Sequence, residues 1–443
     1  MTCPAYAKYS GGTGVPNDPY KIATTSDLST LGQTPEDYDK YFIMIEDIDF
    51  LSSGKIYEKA VIAPAADDTF GDFQNIPFTG VFDGKGHTIS SLTIKGMDYL
   101  GLFGELDAGA KVMNIGLINI NINASGNYIG GIAGKSINST VTQCYSTGTI
   151  SGKEIVGGIV GYNSYGYIIS CYSTGAINSY GELVYVGGLV GYNSYGTIAK
   201  CYCTGMVIGS SSNEMGIARA GGLVGFNSYG TITQCYSNSS VRGNCETGGL
   251  IGTDSFGKVT KCYSTGAVSE TGSFSYKHTG GLIGSCLRSY VSQCYSTGHG
   301  ATLLGQINFG TIIACFWDTQ TSGQTSNVTN MGTGKTTAQM KTLSTFTNAG
   351  WDFTGEIANG TEDIWRICET SSNYPFLVWQ LPFGDLICPD GITLEDIDFL
   401  VDHYDYYDCN KSNNYCDGAD LNFSGTVDID DLEILMNIWL GAN

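Results

Sequence analysis

Gly187-Gly-Leu-Val-Gly-Tyr-Asn-Ser-Tyr-Gly-Thr-Ile-Ala-Lys-Cys-Tyr202 is the stretch on which the fold turns, because the chain repeats it. Double glycines open at Gly130, Gly157, Gly187, Gly221, Gly248 and Gly280. Each is followed 14 residues later by a cysteine: Cys144, Cys171, Cys201, Cys235, Cys262 and Cys294. From each cysteine to the next double glycine the separation instead runs 13, 16, 20, 13 and 18 residues. A unit with one constant arc and one variable arc is a solenoid whose insertions all leave from the same edge.

Strand follows from the pattern around each cysteine. Tyr stands one residue after it, at Tyr145, Tyr172, Tyr202, Tyr236, Tyr263 and Tyr295, and the even offsets that follow are small or apolar. That is a period of two. The apolar residue three before, such as Ile198, breaks the parity and reads as a bend between two strands, with the Gly-Gly-Leu-Val-Gly segment as a third short strand. Three strands in 27 to 34 residues predict one coil of a right-handed parallel β-helix, stacked at roughly 4.8 Å per coil. Gly101-Leu-Phe-Gly104 and Gly80-Val-Phe-Asp-Gly84 read as earlier coils and Gly305 to Trp317 as an incomplete last one, for eight or nine in all.

Stacking would align equivalent side chains. The cysteines, with no His companions, read as buried reduced thiols, and Asn163, Asn193 and Asn227 as a hydrogen-bonded ladder at equivalent turns. The Tyr stripe is expected to face outward, either as plain cross-rung stacking or as a flat platform for a glycan or a protein.

Composition bounds the rest. The chain has 443 residues, 42 acidic against 21 basic, and 42% hydrophobic content, enough for a large core and unlike a disordered protein. No apolar run approaches a membrane span, and Met1-Thr-Cys-Pro opens a polar stretch with no features of a signal peptide. The charge is uneven: residues 141–320 carry 7 acids and 8 bases, whereas residues 385–443 carry 14 acids and one Lys. Such a tail repels nucleic acid and attracts divalent cations.

With its Gly-Gly-Leu-Val-Gly and Cys-Tyr elements, the segment of about residues 80–320 resembles the GLUG-repeat family of bacterial surface and secreted proteins. The resemblance implies the β-solenoid and an extracellular or cell-surface location; it implies no particular activity, since members range from protease accessory regions to adhesins. A solenoid also needs its ends closed. Residues 1–78 are expected to supply an N-terminal cap, with a short helix at Thr25–Gly32, and the first strands, and the β-helix proper to run over 79–330. Residues 331–383 are expected to cap the other end through the amphipathic stretch Thr337–Phe346 and Trp351, Trp365, Phe376 and Trp379.

The tail, residues 384–443, has two loops of one design. In the second, Asp420, Asn422, Ser424, Asp428 and Asp431 stand at loop positions 1, 3, 5, 9 and 12, Gly425 at the sharp turn, and Thr426 would add its carbonyl. That spacing suits calcium, a hard cation with six to eight oxygen ligands. The first loop offers Asp385, Asp390 and Asp396 but has Ile387 and Pro389 where donors belong. Paired loops ending in Asp, each followed by an amphipathic helix, resemble the dockerin family, a small α-helical EF-hand-like domain. The resemblance implies calcium-loaded docking onto a cohesin-like partner. Cys409 and Cys416, between the loops, are candidates for a disulfide.

The expected function is a non-catalytic extracellular structural or adhesive scaffold, joined through its calcium-dependent module to a receptor or to the next copy of itself in a homopolymeric filament. A glycan is a further candidate partner. The alternative is a polysaccharide-processing β-helix enzyme, a lyase or glycosidase, delivered by a dockerin–cohesin interaction. Its weakness is that the carboxylates of the coils, such as Glu154, Glu182, Glu246 and Glu270, are scattered along the variable arc where a glycosidase needs a close pair.

Overall fold

The computed structural model describes residues 8–65, 76–212, 216–271, 277–324, 330–368, 373–381, 384–387, 392–410, 414–422 and 424–441. Two compact units divide it, residues 1–334 and 335–443.

The first unit is a parallel β-solenoid. One coil shows the path: Leu183–Gly187, Val190–Ser194, Thr197–Ala199, Tyr202–Cys203 and Met206–Ser211. Every strand pairs in parallel with its equivalents in the coils before and after, as in Ile168↔Ile198↔Ile232 and Tyr172↔Tyr202↔Tyr236. The coil therefore has five short strands, where the residue pattern suggested three. The difference lies mainly at the double glycine, which is a corner: one strand ends on Gly187 and the next starts at Val190.

Space explains the glycines there. A Cβ on Gly187 would sit 2.1 Å from the Val190 carbonyl oxygen, and one on Gly188 would sit 2.2 Å from that of Gly222 and 2.5 Å from Cys203 Sγ. Adjacent coils come too close at this corner for any side chain. Two further corners turn through left-handed residues, at Tyr195 (φ 54°) and Lys200 (φ 52°). Inside, Ile198, Leu189, Val190 and Cys201 are fully buried, and their equivalents continue one column of core along the stack.

The column is longer than expected. The sheet containing Thr197–Ala199 has eleven described strands, beginning with Tyr20–Ile22 and Tyr41–Met44, so the first strands expected in residues 1–78 are themselves rungs of the solenoid. The helix Thr25–Gly32 is present between them, closed by a reciprocal pair in which the Thr24 hydroxyl accepts from Asp27 N–H and Asp27 accepts from Thr24 N–H. Strands at Leu304–Asn308, Thr311–Ile313 and Phe316–Asp318 form the last partial coil.

In the second unit Thr337–Met340 and Leu343–Thr347 are short helices, and Phe346, Trp351, Phe353 and Trp365 are buried against one another, with Trp351 and Trp365 centroids 4.6 Å apart. The tail is not separate from them. The Arg366 guanidinium donates to the Leu386 carbonyl and lies 5.7 Å from the Phe399 ring, tying the segments on either side of residue 384 into one unit.

The Asn ladder runs through the solenoid. Asn163 Nδ2 donates to Asn193 Oδ1 (2.8 Å), Asn193 to Asn227 (2.7 Å), and Asn227 to Asp254 Oδ1 (2.6 Å). Each Asn also donates to the carbonyl of the glycine three residues on. All four side chains are fully buried. Asp254 breaks the rule, because an ionised carboxyl cannot donate, and its Oδ2 has no hydrogen-bond partner. Burial pushes its pKa up to about 6 against the hydrogen bonds from Asn227 and Ser289.

Two outcomes follow. Gly222→Ala places a Cβ 2.1 Å from both the Gly249 carbonyl and Ser237 Oγ, and is expected to lower stability by roughly 3 kcal/mol, read by chemical unfolding. For Asp254 the folded state holds the proton more tightly than the unfolded chain. Its contribution is therefore full below about pH 4 and is lost as pH rises to about 6, a swing on the order of 2–3 kcal/mol. Asp254→Asn supplies the missing donor at every pH, so it should raise the melting temperature at pH 7.5 and give no gain at pH 4.

Candidate functional site

Three side-chain arrangements were candidates for chemistry or binding: the Tyr stripe, the tail loops and the carboxylates of the variable arc. In the stripe, the six Tyr rings stack with centroids 4.8 to 5.1 Å apart and interplanar angles of 1° to 9°. The stripe is not uniformly outward. Tyr145, Tyr172 and Tyr202 are half-buried, whereas Tyr236, Tyr263 and Tyr295 are buried, down to 1% exposure at Tyr295. Burial, and then the neighbouring Tyr236 and Tyr172, hold the Tyr202 phenol well above its usual range. Parallel stacking also uses up the ring faces that a flat platform would offer. The Gly116 position, one rung before Tyr145, extends this economy of space: a Cβ there would lie 2.3 Å from Tyr145 Cζ.

The cysteines beneath are free, fully buried thiols that donate to backbone carbonyls, as Cys201 does to Ala199 at 3.2 Å. Burial raises Cys144, Cys201, Cys262 and Cys294 well above a free thiol.

The two tail loops share one hydrogen-bond design. Asp396 Oδ1 accepts from Leu386 N–H (2.7 Å) and Ile387 N–H (3.0 Å); Asp431 Oδ1 accepts from Leu421 N–H (2.7 Å) and Asn422 N–H (3.0 Å). Each carboxylate then reaches the start of its helix, Asp396 to Thr393 N–H and Asp431 to Asp428 N–H. The helices are Leu394–Asp402 and Ile429–Gly441. In the second loop Asp420 accepts from Ser424 and Gly425 N–H, both at 3.0 Å, with Gly425 at φ 96°. Asn422 accepts from Ser424 N–H, Ser424 Oγ donates to the Thr426 carbonyl, and Asp428 accepts from Asp430 N–H. Cys409 and Cys416 form a disulfide, and Cys409 N–H donates to the Gly425 carbonyl, which pins the loop.

Asp385, Asp396, Asp420 and Asp431 are all buried, and Asp390 lies outside the described residues. Among the described residues no three His, Cys, Asp or Glu side chains are gathered into a metal shell. The donor chemistry of 420–431 nonetheless suits a hard cation: every donor is oxygen, and two fully buried carboxylates gain from a compensating positive charge.

The arc carboxylates are variously engaged. Glu246 pairs with Arg219 at 2.8 Å and Glu270 with Lys277 at 3.4 Å. Glu154 is held above the usual carboxylate range by partial burial, reinforced by the charges of Glu182 and Asp98.

One feature escaped the residue pattern. Eight residues after Gly157, Gly187, Gly221, Gly248 and Gly280 stand Tyr165, Tyr195, Tyr229, Phe256 and Arg288. The four rings stack at 4.8 to 4.9 Å and 5° to 6°, on a left-handed corner, and all are exposed. The signal was visible in the second Tyr of Gly-Tyr-Asn-Ser-Tyr-Gly, next to the Asn.

Comparison with known proteins agrees with the solenoid. Residues 125–151 and 183–208 match the GLUG motif. Over 154 residues, 33% of the chain, it is 36% identical to halomucin of Haloquadratum walsbyi; the match spans 2% of that protein's length. A crystal structure of a Bacteroides ovatus protein assigned as an immunoglobulin A1 protease shares the fold with a TM-score of 0.50 and 18% identity, over 84% of this chain and 96% of that one. An IgA1 protease structure gives 0.40 and 16%, over 61% and 21%. Among the described residues no helix is long and apolar enough to cross a membrane.

If the stripe is chiefly structural, its two halves should differ. Tyr263→Ala is expected to cost roughly 3 kcal/mol and Tyr172→Ala clearly less, by chemical unfolding of each variant.

Proposed function

We propose that this chain is a non-catalytic extracellular scaffold: a stiff β-solenoid that presents its outer faces for adhesion and is joined to a partner through a calcium-ordered C-terminal module. The observation that carries the reading is the duplicated loop design, in which Asp396 and Asp431 make matching hydrogen bonds at 2.7 and 3.0 Å. Two equivalent loops, each leading into a helix, make a module with two similar faces, suited to docking. Kinship with halomucin and the GLUG motif support an extracellular setting.

Asp420, Asn422, Ser424, Asp428 and Asp431, with the Thr426 carbonyl, would hold the ion. Bound calcium would offset the buried negative charge and free the loop's shape from dependence on backbone N–H donors alone. The partner is a cohesin-like receptor or the next copy of this chain, and the latter would build a filament.

The enzyme alternative rests on Glu154, whose carboxyl is raised by partial burial and, against the opposing charge of Lys153, by the charges of Glu182 and Asp98, the direction a glycosidase acid needs. Release of reducing ends or unsaturated products from acidic polysaccharides, abolished by Glu154→Gln, would replace the scaffold reading.

The calcium reading makes a direct prediction. Titration calorimetry of the whole chain should show calcium uptake that Asp420→Ala with Asp431→Ala abolishes, and the melting temperature of the second unit should fall on chelation. Electron microscopy with and without chelator then separates self-assembly from receptor docking: calcium-dependent fibres support the filament, and dispersed particles in both conditions remove it.

A further inference from the structure

The acids of the solenoid are segregated. The six stretches 160–172, 190–202, 224–236, 251–263, 283–295 and 304–316 form the same arc of successive coils, and they hold one acid, Asp254, which is buried. They also hold Lys200, Lys258, Lys261 and Arg288. The acids between them, Glu182, Glu214, Glu246 and Glu270, all fall on the variable arc. In a chain of net charge −21, one face is thus free of exposed acid and carries cations.

The exposed aromatic ladder borders that face. Its residues sit on a left-handed corner, Tyr165, Tyr195, Tyr229, Phe256, Arg288 and Phe309, each with φ between 51° and 57°. The backbone does not ask for aromatics there. The opposite corner of the same sheet has the same φ and uses Gln143, Ser170, Lys200, Gln234, Lys261 and Gln293. Exposure does not favour them either, since Tyr165 is 54% and Phe309 86% exposed. Bulky exposed residues at positive φ, recurring where polar ones serve equally well, point to a use outside the fold.

What they offer is their edges. The rings lie parallel, so the electron-rich faces are turned to one another and the electropositive rims point outward. Arg288 continues the row between Phe256 and Phe309, 5.6 and 5.7 Å from their centroids, and exposed Lys258 lies on the adjoining strand. A neutral sugar would need ring faces; this surface favours negative charge.

We propose that the sheet between these corners binds an extended anionic polysaccharide, one bearing carboxylate or sulfate groups, laid along the solenoid axis. The pattern recurs every rung at about 4.8 Å, which suits a repeating chain better than a globular acidic partner. Net negative charge elsewhere does not prevent it, because at physiological salt charges beyond ~8 Å are largely screened. The inference names a ligand for the adhesive side of the scaffold reading and needs no calcium.

The test uses the whole chain in the presence of chelator, so that failure of the calcium module leaves it unaffected. Binding to polygalacturonate, heparin and neutral dextran is measured by affinity electrophoresis at low and high salt. Retention by a polyanion, absent with dextran, weakened by salt, and reduced at least tenfold by Lys258→Glu with Arg288→Glu but not by Arg242→Glu on the variable arc, is the expected result. Phe309→Ser, at the most exposed ring, should weaken binding without loss of fold by circular dichroism. No retention on either polyanion, or equal retention by the double variant, overturns the proposal. So does self-association in sedimentation that the double variant abolishes, which would assign the face to a second copy.

Discussion

Everything in the solenoid depends on backbone coils lying one rung apart, close enough that equivalent side chains must be mutually compatible. At the double-glycine corner the constraint is absolute: a Cβ on Gly249 would stand 2.1 Å from the carbonyl oxygen of Gly281 in the next coil. Away from that corner the same proximity becomes attraction. Tyr stacks on Tyr, the Asn amide meets the next Asn carbonyl, and Ile sits on Ile. Parallel pairing propagates any favourable choice to every neighbour, and this is why the constant arc keeps its spacing while the variable arc drifts.

The constant arc was legible for that reason. The Gly-to-Cys spacing, the strand identity, the Asn ladder and the aligned Tyr rings all express contacts between equivalent positions, and these leave a periodic trace. The corner at Gly187-Gly188 was less legible, because a run of apolar residues after it looks like a strand from within; only the closeness of Gly222 shows why no Cβ fits. The strands at Tyr20–Ile22 and Tyr41–Met44 were expected only as first strands beside a cap and not as full rungs, because they share the pairing but not the motif. Their core is aromatic, with Tyr9, Phe42 and Phe78 in contact, where later coils use Cys and Ile. Gradual burial of the Tyr stripe depends on what covers each rung, and no local pattern encodes it.

In the tail, loop spacing pointed to Asp420 and Asp431, and both are buried with their oxygens on backbone N–H groups. The first loop keeps the same closing carboxylate, Asp396, although Ile387 replaces an oxygen donor. The shared element is therefore the carboxylate that fastens the loop to its helix, and the oxygen set that would hold an ion differs between the two. A carboxylate satisfied by backbone donors stabilises the loop's turn in its own right. Calcium would add to a shape already largely determined.

Charge gives the molecule its second organising principle. In the coils of residues 157–316 exposed acids fall only on the variable arc, where loops differ and no rung repeats them; a like charge repeated every rung on the constant arc would repel itself along the axis. That self-repulsion alone would remove Lys as readily as Glu, yet Lys200, Lys258, Lys261 and Arg288 remain while exposed acids do not. An asymmetry of sign cannot come from the stack, which penalises both signs equally. The proposed polyanion would account for that asymmetry, and the outward rims of the stacked rings carry the same sign as the cations.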